Sequence, residues 1–462
     1  MHIKISKGLD IPIKGKPQGP ISPLVPSGSA GEAESTLIAL NLKTFEGTKF
    51  KVLCTVGEIV KIGQPLAEDK STEGRFFCSP AGGKIKEIRR GLQRALQYIV
   101  IEPDKKEEYF SFPVVDVANA SKEQIIEAMM KGGVFSQIRS RPFNILADPQ
   151  KTPRSIFVKG IESAPLLPPA EMQVEGHEKE FQAGLDALAK LTSGKVHLVY
   201  SSKTHFRPFL EAKNVSHHTA EGPHPIANQS LHIQNISPIH SADDAIWTLN
   251  AHDVVCIGYL LTKGQRFIER VVSIAGPGVL PERIGFFKTR EGVSVATLMS
   301  GRISRKKSVR MVSGDPLIGK KVEMDDFLGF SHFAFCIIPE SQHREFLHFF
   351  RLGTDKYTFS RAYLTGHLNN AEREYDFTTN QHGEHRPFID ASLYNKVMPL
   401  PISTMHLVKA VLAEDYELAE KLGLLSVDSE DFALPTFVCP SKMEMTEIMK
   451  DGLKHYAHDV LQ

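Results

Sequence analysis

The chain has 462 residues, 55 basic and 54 acidic, for a formal net charge of +1. That length leaves room for about three domains, and the balanced charge gives no electrostatic footprint for nucleic acid. Five cysteines with no Cys-x-x-Cys pair argue against a disulfide framework and for a reducing compartment. No apolar run approaches the roughly 18 residues of a membrane span. The start, Met1-His-Ile-Lys-Ile-Ser-Lys-Gly, lacks the apolar core of a signal peptide. If the protein works at a membrane, another subunit must hold it there.

The first region, residues 1–105, reads as β-rich, with a loose Pro/Gly/Ser stretch at 15–31. Within residues 56–91, short alternating runs are closed by Gly or Pro, which predicts strands with one buried face and tight turns. Val56-Gly-Glu and Ala81-Gly-Gly open two copies of one hairpin unit. This pattern resembles the flattened β-barrel of biotin and lipoyl carriers, in which a hairpin-tip lysine holds the cofactor. Lys70 sits at that position, but Ser71-Thr-Glu-Gly does not continue like a modification site. An exposed turn lysine is expected.

The second region, 106–257, alternates helix and strand, which implies a mainly parallel sheet covered by helices. Ser121 with Gln124 makes a capping box, and Gly132-Gly133 ends the helix it starts. Phe181, Leu185, Leu188 and Leu191 fall at helical spacing. Ser155-Ile-Phe-Val, Val196-His-Leu-Val-Tyr and Asp253-Val-Val-Cys-Ile read as strands. The third region, 258–340, returns to short strands at Arg270-Val-Val-Ser-Ile, Ser308-Val-Arg-Met-Val and Phe333-Ala-Phe-Cys-Ile-Ile. The fourth, 341–462, ends in a helix, with Ser441 and Glu444 as its capping box and Met445, Ile448, Met449, Leu453, Tyr456 and Val460 as its apolar stripe.

Three apparent motifs fail on their chemistry. Gly314-Asp-Pro-Leu-Ile-Gly-Lys-Lys has the outline of a P-loop, but Lys321 stands where a Mg²⁺-binding hydroxyl is needed, so a turn is expected. Gly276-Pro-Gly lacks the spacing of a dinucleotide fingerprint. His217, His218, His224, His232 and His240 crowd together without a metal-ligand spacing. They read as hydrogen-bonded loop histidines.

Ser6-Lys-Gly-Leu-Asp-Ile-Pro-Ile-Lys-Gly, Ser79-Pro-Ala-Gly-Gly-Lys-Ile, Arg141-Pro-Phe, Glu221-Gly-Pro-His-Pro, Val312-Ser-Gly-Asp-Pro-Leu-Ile-Gly, Arg351-Leu-Gly, Thr379-Asn-Gln-His-Gly-Glu and Phe437-Val-Cys-Pro-Ser-Lys follow in order along nearly the whole chain. Together they resemble the NqrA family, the first of the components of the Na⁺-translocating NADH:quinone oxidoreductase. The resemblance implies a peripheral subunit on the cytoplasmic face of a bacterial inner membrane. There it would join five partner subunits in a pump that passes electrons from NADH to ubiquinone and expels Na⁺. It also implies the folds: a biotinyl/lipoyl-like flattened barrel, a Rossmann-like α/β domain similar to the flavin subunit of complex I, a ubiquitin-like β-grasp domain of the soluble-ligand-binding type, and a partly helical C-terminal region.

Those flavin-binding relatives cradle FMN with a glycine-rich loop, because only glycine lets backbone N–H groups approach a phosphate. The matching stretch here, 132–143, keeps two glycines and fills the rest with bulky residues. Their acidic motif has become Lys159-Gly-Ile-Glu162. Their four-cysteine cluster motif is reduced to Cys439-Pro, and one thiolate cannot hold a cluster. The expectation is a redox scaffold without FMN, NADH or iron–sulfur sites and without a bound metal. Phe135, Arg139, Arg141 and Phe143 are the candidates for a surface near quinone. The plainer reading of that segment is a loop whose arginines cap carbonyls. A role in assembly alone, with no ligand contact, is the alternative function.

Overall fold

The computed structural model describes residues 1–24, 36–303, 308–341, 350, 352–368 and 372–461. The end of the 15–31 stretch and Arg351 of the Arg351-Leu-Gly motif lie outside the described residues.

The chain folds into mixed α/β and β units with a helical C-terminal region. The largest sheet has seven strands in the order His2–Lys4, Ser216–Glu221, Lys195–Ser201, Ser155–Gly160, Ile246–Asn250, Arg139–Arg141 and Ile145–Leu146. The first five run parallel, and the last two are antiparallel additions at one edge. Alternation along the central strand divides its two faces. Ile156 and Val158 enter the core under helices Lys122–Lys131, Glu178–Leu191 and Ala251–Lys263. Phe157 faces the opposite way, onto Ile233 of helix Gln229–Ile236.

Capping boxes set two of the helix starts. Ser121 and Gln124 form the expected box, and the helix ends at Gly132. Asp253-Val-Val-Cys-Ile is not a strand: it lies inside helix Ala251–Lys263. Asn250 and Asp253 form a capping box there, and Gly264 closes the helix at φ 64°. Residues 251–258 are buried without a break, so no polar face marks the helical period. The helix also runs across residue 257, where the sequence suggested a domain boundary. The strand beside it is Ile246–Asn250.

Two smaller sheets form a barrel-like unit. One holds Ile38–Asn41, Leu96–Pro103, Gly83–Arg90 and Ile59–Val60, and the other Phe50–Val52, Pro65–Asp69 and Phe76–Cys78. Leu40, Leu66, Phe77, Ile85 and Ile99 share one core, which continues into the next sheet through Val272, Ile274 and Phe335. Lys70 lies exposed in the turn after Pro65–Asp69, while its neighbour Asp69 is buried against Arg75 at 3.0 Å.

The third sheet has six strands, ordered Lys320–Val322, Val309–Ser313, Ala334–Pro339, Glu269–Ala275, Gly285–Arg290 and Ile21–Pro23. Residues 314–319 form the turn between two of its strands, where the Asp315 carboxylate accepts from the Leu317 N–H at 2.8 Å. The N-terminal segment works as a strap: residues 2–4 extend the α/β sheet, 21–23 extend the third sheet, and Ile13 bridges to Tyr375. The final helix is Met445–Leu461. Its expected box at Ser441 does not form, because the Ser441 hydroxyl donates to the Pro387 carbonyl at 2.9 Å and the helix begins after Glu444.

Candidate functional site

In an open parallel sheet, ligands bind outside the carboxyl ends of the strands, at the point where the connections change direction. Here strand Ser155–Gly160 leads outward to Lys195–Ser201 and Ser216–Glu221, and the chain then returns to Ile246–Asn250 on its other side. The switch point is therefore the crevice between Ser155–Gly160 and Ile246–Asn250.

That crevice is filled by the protein itself. Lys159, Glu162, Leu167, Gln173, His252 and Phe333 surround a cavity of about 10 Å³, room for one water at most. The loop after the central strand is pinned over it by the third sheet. Gln173 donates to the Val271 carbonyl at 2.7 Å and accepts from the Val271 N–H at 3.1 Å. The Ser273 hydroxyl donates to the Leu166 carbonyl at 2.5 Å. Leu166 is buried with φ 69°, a left-handed conformation unfavourable for leucine. Lys159 and Glu162 pair at 2.9 Å. Burial pulls the Lys159 ammonium down, but Glu162 and Glu430 outweigh it and leave the pKa raised.

The other flank of the central strand is open. A cleft of about 370 Å³ lies at the carboxyl ends of Ser155–Gly160, Lys195–Ser201 and Ser216–Glu221. Asp10, Glu171, Ser201, Lys203 and Glu221 are among its lining residues. Beside it, Ser163 and His224 are joined at 3.0 Å, and burial holds the His224 imidazole down at about 4. The peptides Arg141–Pro142 and His224–Pro225 are both cis. No sequence motif pointed to this cleft, although Glu221-Gly-Pro-His-Pro borders it.

The four residues proposed from segment 132–143 do not share one surface. Phe135 is 1 % exposed and packs edge-on against Trp247 at 5.5 Å, inside the α/β core. Arg139 lies over the Phe45 ring of the barrel-like unit at 5.2 Å, and burial lowers its pKa. Arg141 is 2 % exposed. It donates to the Ser230 hydroxyl at 2.9 Å and to the carbonyls of Val427 and Pro142 at 2.6 and 3.3 Å, with Asp428 at 3.7 Å. Phe143 belongs to the core shared with the C-terminal region and meets Tyr456 edge-on at 5.9 Å. The segment is a joint between units.

The remaining polar clusters are mostly enclosed. Asp428, Glu430 and Asp431 face Arg141 and Lys159 across the same joint, where burial and the adjacent carboxylates raise the pKa of Glu430. His197 and His218 share a hydrogen bond at 3.0 Å, and burial holds both down at about 4. All five cysteines are free and buried, and Cys439 bonds Tyr394 at 3.1 Å. Among the described residues, no three His, Cys, Asp or Glu side chains are placed to hold a metal ion.

Fold and site define a multidomain α/β protein, stitched together by an N-terminal strap, with a packed switch-point crevice and an open cleft beside it. Residues 3–104, 120–266 and 271–324 match the families described as "NqrA N-terminal barrel-sandwich hybrid domain", "NqrA second alpha/beta domain" and "NQRA C-terminal domain". Among similar proteins is the NqrA component of the Na(+)-translocating NADH-quinone reductase of Chlamydia trachomatis serovar L2, 34 % identical over 99 % of both chains. Its counterpart in Chlamydia caviae is 35 % identical over 99 % of this chain and 97 % of the relative. The counterpart in Tolumonas auensis is 35 % identical over 98 % of each. The chain belongs to the NqrA family of Na(+)-translocating NADH-quinone reductase components. A solved NAD⁺-reducing [NiFe]-hydrogenase in its H₂-reduced state aligns with TM-score 0.39 and 10 % identity, over 73 % of this chain and 61 % of that one. So loose a likeness carries no argument.

Proposed function

We propose that the chain is a peripheral subunit of a membrane complex that oxidises NADH, reduces ubiquinone to ubiquinol and pumps Na⁺ out of the cytoplasm. It sits on the cytoplasmic face of the inner membrane with five partner subunits. It contributes to quinone reduction and assembly without a redox group of its own. The observation that carries this reading is the identity to NqrA proteins over nearly the full length of both chains. No described helix is long and apolar enough to cross a membrane, so attachment falls to partners. The finer folds proposed are a biotinyl/lipoyl-like barrel, a Rossmann-like α/β domain and a β-grasp domain. Their boundaries are those read near 105 and 340, with the middle boundary moved past the helix that ends at Lys263.

Two roles fall within this function. In the first, segment 132–143 lies near quinone. In the second, the chain serves assembly alone, and the use of Arg141 and Phe143 as joints to the C-terminal region favours it. Both are tested in the native host by tagging the chain, solubilising membranes gently and assaying the eluate for Na⁺-stimulated NADH:quinone reduction. An active assembly of six subunits is expected. A lone soluble chain would overturn the family function. Loss of quinone affinity in Phe135→Ala, with assembly intact, would favour the quinone-proximal role. Loss of assembly instead would favour the joint.

A further inference from the structure

We propose that Arg302 and Arg283 hold a small dianionic phosphate, free or as a monoester, between the turn Pro281–Arg283 and the segment that follows helix Val295–Met299. The backbone ties the two arginines' segments together: the Leu280 N–H donates to the Arg302 carbonyl at 2.9 Å.

Arg302 is a buried charge without a counter-charge. It is 4 % exposed. Its Nη1 donates to the Ser300 carbonyl at 2.9 Å, while Nε is buried with no hydrogen-bond partner. Among the described residues, Nη2 makes no hydrogen bond, and no carboxylate pairs with Arg302 or Arg283. Burial, and then repulsion from the exposed Arg283, lower the pKa of Arg302. The residues after Ile303, Ser304-Arg-Lys-Lys, lie outside the described residues and contain no carboxylate. Other buried arginines show what is missing. Arg75 and Arg266 also leave Nε without a partner, but Arg75 pairs with Asp69 at 3.0 Å and Arg266 with Glu291 at 2.9 Å. Arg270 lies in the field of Glu291 and Asp253. A buried charge left unpaired is strongly destabilising, so Arg302 calls for an anion.

The free edge sets the kind of anion. Phe287 covers one face of the guanidinium, with its ring centroid 4.9 Å from Cζ. Nε and Nη2 form one edge of the planar group, and that whole edge is unpaired. Such a fork suits two oxygens of one oxyanion. Two neighbouring cations favour a divalent anion over a carboxylate, and a phosphate monoester carries about −1.5 to −2 charges at pH 7. Because Arg302 is buried, a small solute can reach its edge more readily than a flat lipid surface can.

Calorimetric titration of the purified full chain with inorganic phosphate at constant ionic strength tests this, with acetate and phosphatidylglycerol vesicles as the other probes. Phosphate is expected to bind one-to-one, more tightly than acetate, and to raise the melting temperature. Arg283→Gln, at an exposed position, should keep the parent's melting curve without phosphate and weaken binding about tenfold. Arg302→Lys keeps the charge but loses the fork, and should abolish the phosphate-induced rise in melting. Lys179→Gln, an exposed cation on helix Glu178–Leu191, should change nothing. The proposal is overturned by no saturable phosphate binding, by Arg283→Gln and Arg302→Lys chains that bind like the parent, by acetate binding as tightly as phosphate, or by vesicle binding without phosphate binding. Tighter phosphate binding in a Glu32→Gln/Glu34→Gln chain would show that the protein's own carboxylates fill the site, and would also overturn it. The inference stands apart from the membrane assembly. A chain that binds phosphate yet finds no membrane partners would uphold it while overturning the function above.

Discussion

The two flanks of strand Ser155–Gly160 end at the same level of the same sheet, yet one is shut and the other open. On the Ile246–Asn250 side, a loop pinned by Gln173 and Ser273 leaves about 10 Å³. On the Lys195–Ser201 side, about 370 Å³ stays accessible between polar walls. The contrast separates scaffold from site. A sheet can keep an open switch-point strand order while the protein's own loop fills the ligand position. Here the loop after Ser155–Gly160 fills it, with Phe333, and strand Glu269–Ala275 holds that loop in place.

The largest effect should come from breaking the joint that holds the α/β domain to the C-terminal region. Arg141→Ala leaves Asp428 without its buried guanidinium partner and the Val427 carbonyl without its donor. A loss of about 3–5 kcal/mol in unfolding free energy is expected from denaturant titration. A variant as stable as the parent would mean that the joint contributes little.

Gln173→Ala acts on the shut flank itself. It removes both clamp bonds and leaves the Val271 N–H and carbonyl without those partners. A loss of about 2–3 kcal/mol is expected, together with faster hydrogen exchange confined to residues 161–174. Uniform exchange across the chain would show that the clamp does not control the crevice.

Acid should act through the buried histidines His224, beside the open cleft, and His232, in helix Gln229–Ile236. Burial holds His224 and His232 at about 4, below the ordinary 6.5. A depressed pKa gives stability that is complete above the unfolded value and is lost as pH falls toward the folded value. Between pH 7 and pH 5, each should remove about 2 kcal/mol. His232→Gln should show a smaller loss over that interval, and an unchanged loss would shift the sensitivity to other groups.

The smallest effect is expected at Leu166. Its φ of 69° strains a leucine in a way it would not strain glycine, but its side chain is buried. Leu166→Gly should therefore change stability by only about 1 kcal/mol, the relief of strain offsetting part of the lost burial. A loss of several kcal/mol would make the leucine contact, not the backbone, the seal of the crevice.

Legibility in the sequence followed local physics. Ser155-Ile-Phe-Val and Val196-His-Leu-Val-Tyr read correctly because apolar, β-branched and aromatic runs suit strands packed on both faces. Asp253-Val-Val-Cys-Ile has the same composition but belongs to a helix, because a helix buried all round loses its polar stripe; the Asn250–Asp253 cap was the signal available. Phe135 and Phe143 are close in sequence, but strand Arg139–Arg141 lies between them and they enter different cores. The cleft was illegible because Asp10, Glu171 and Glu221 meet only through long-range folding of the strap against the sheet.

The contrast between the two flanks is tested most directly by titrating the purified chain with FMN and NADH under conditions in which its fold is intact. The packed crevice predicts no saturable binding of either. One-to-one binding of FMN or NADH, abolished by filling the crevice through Ala251→Leu, would contradict it.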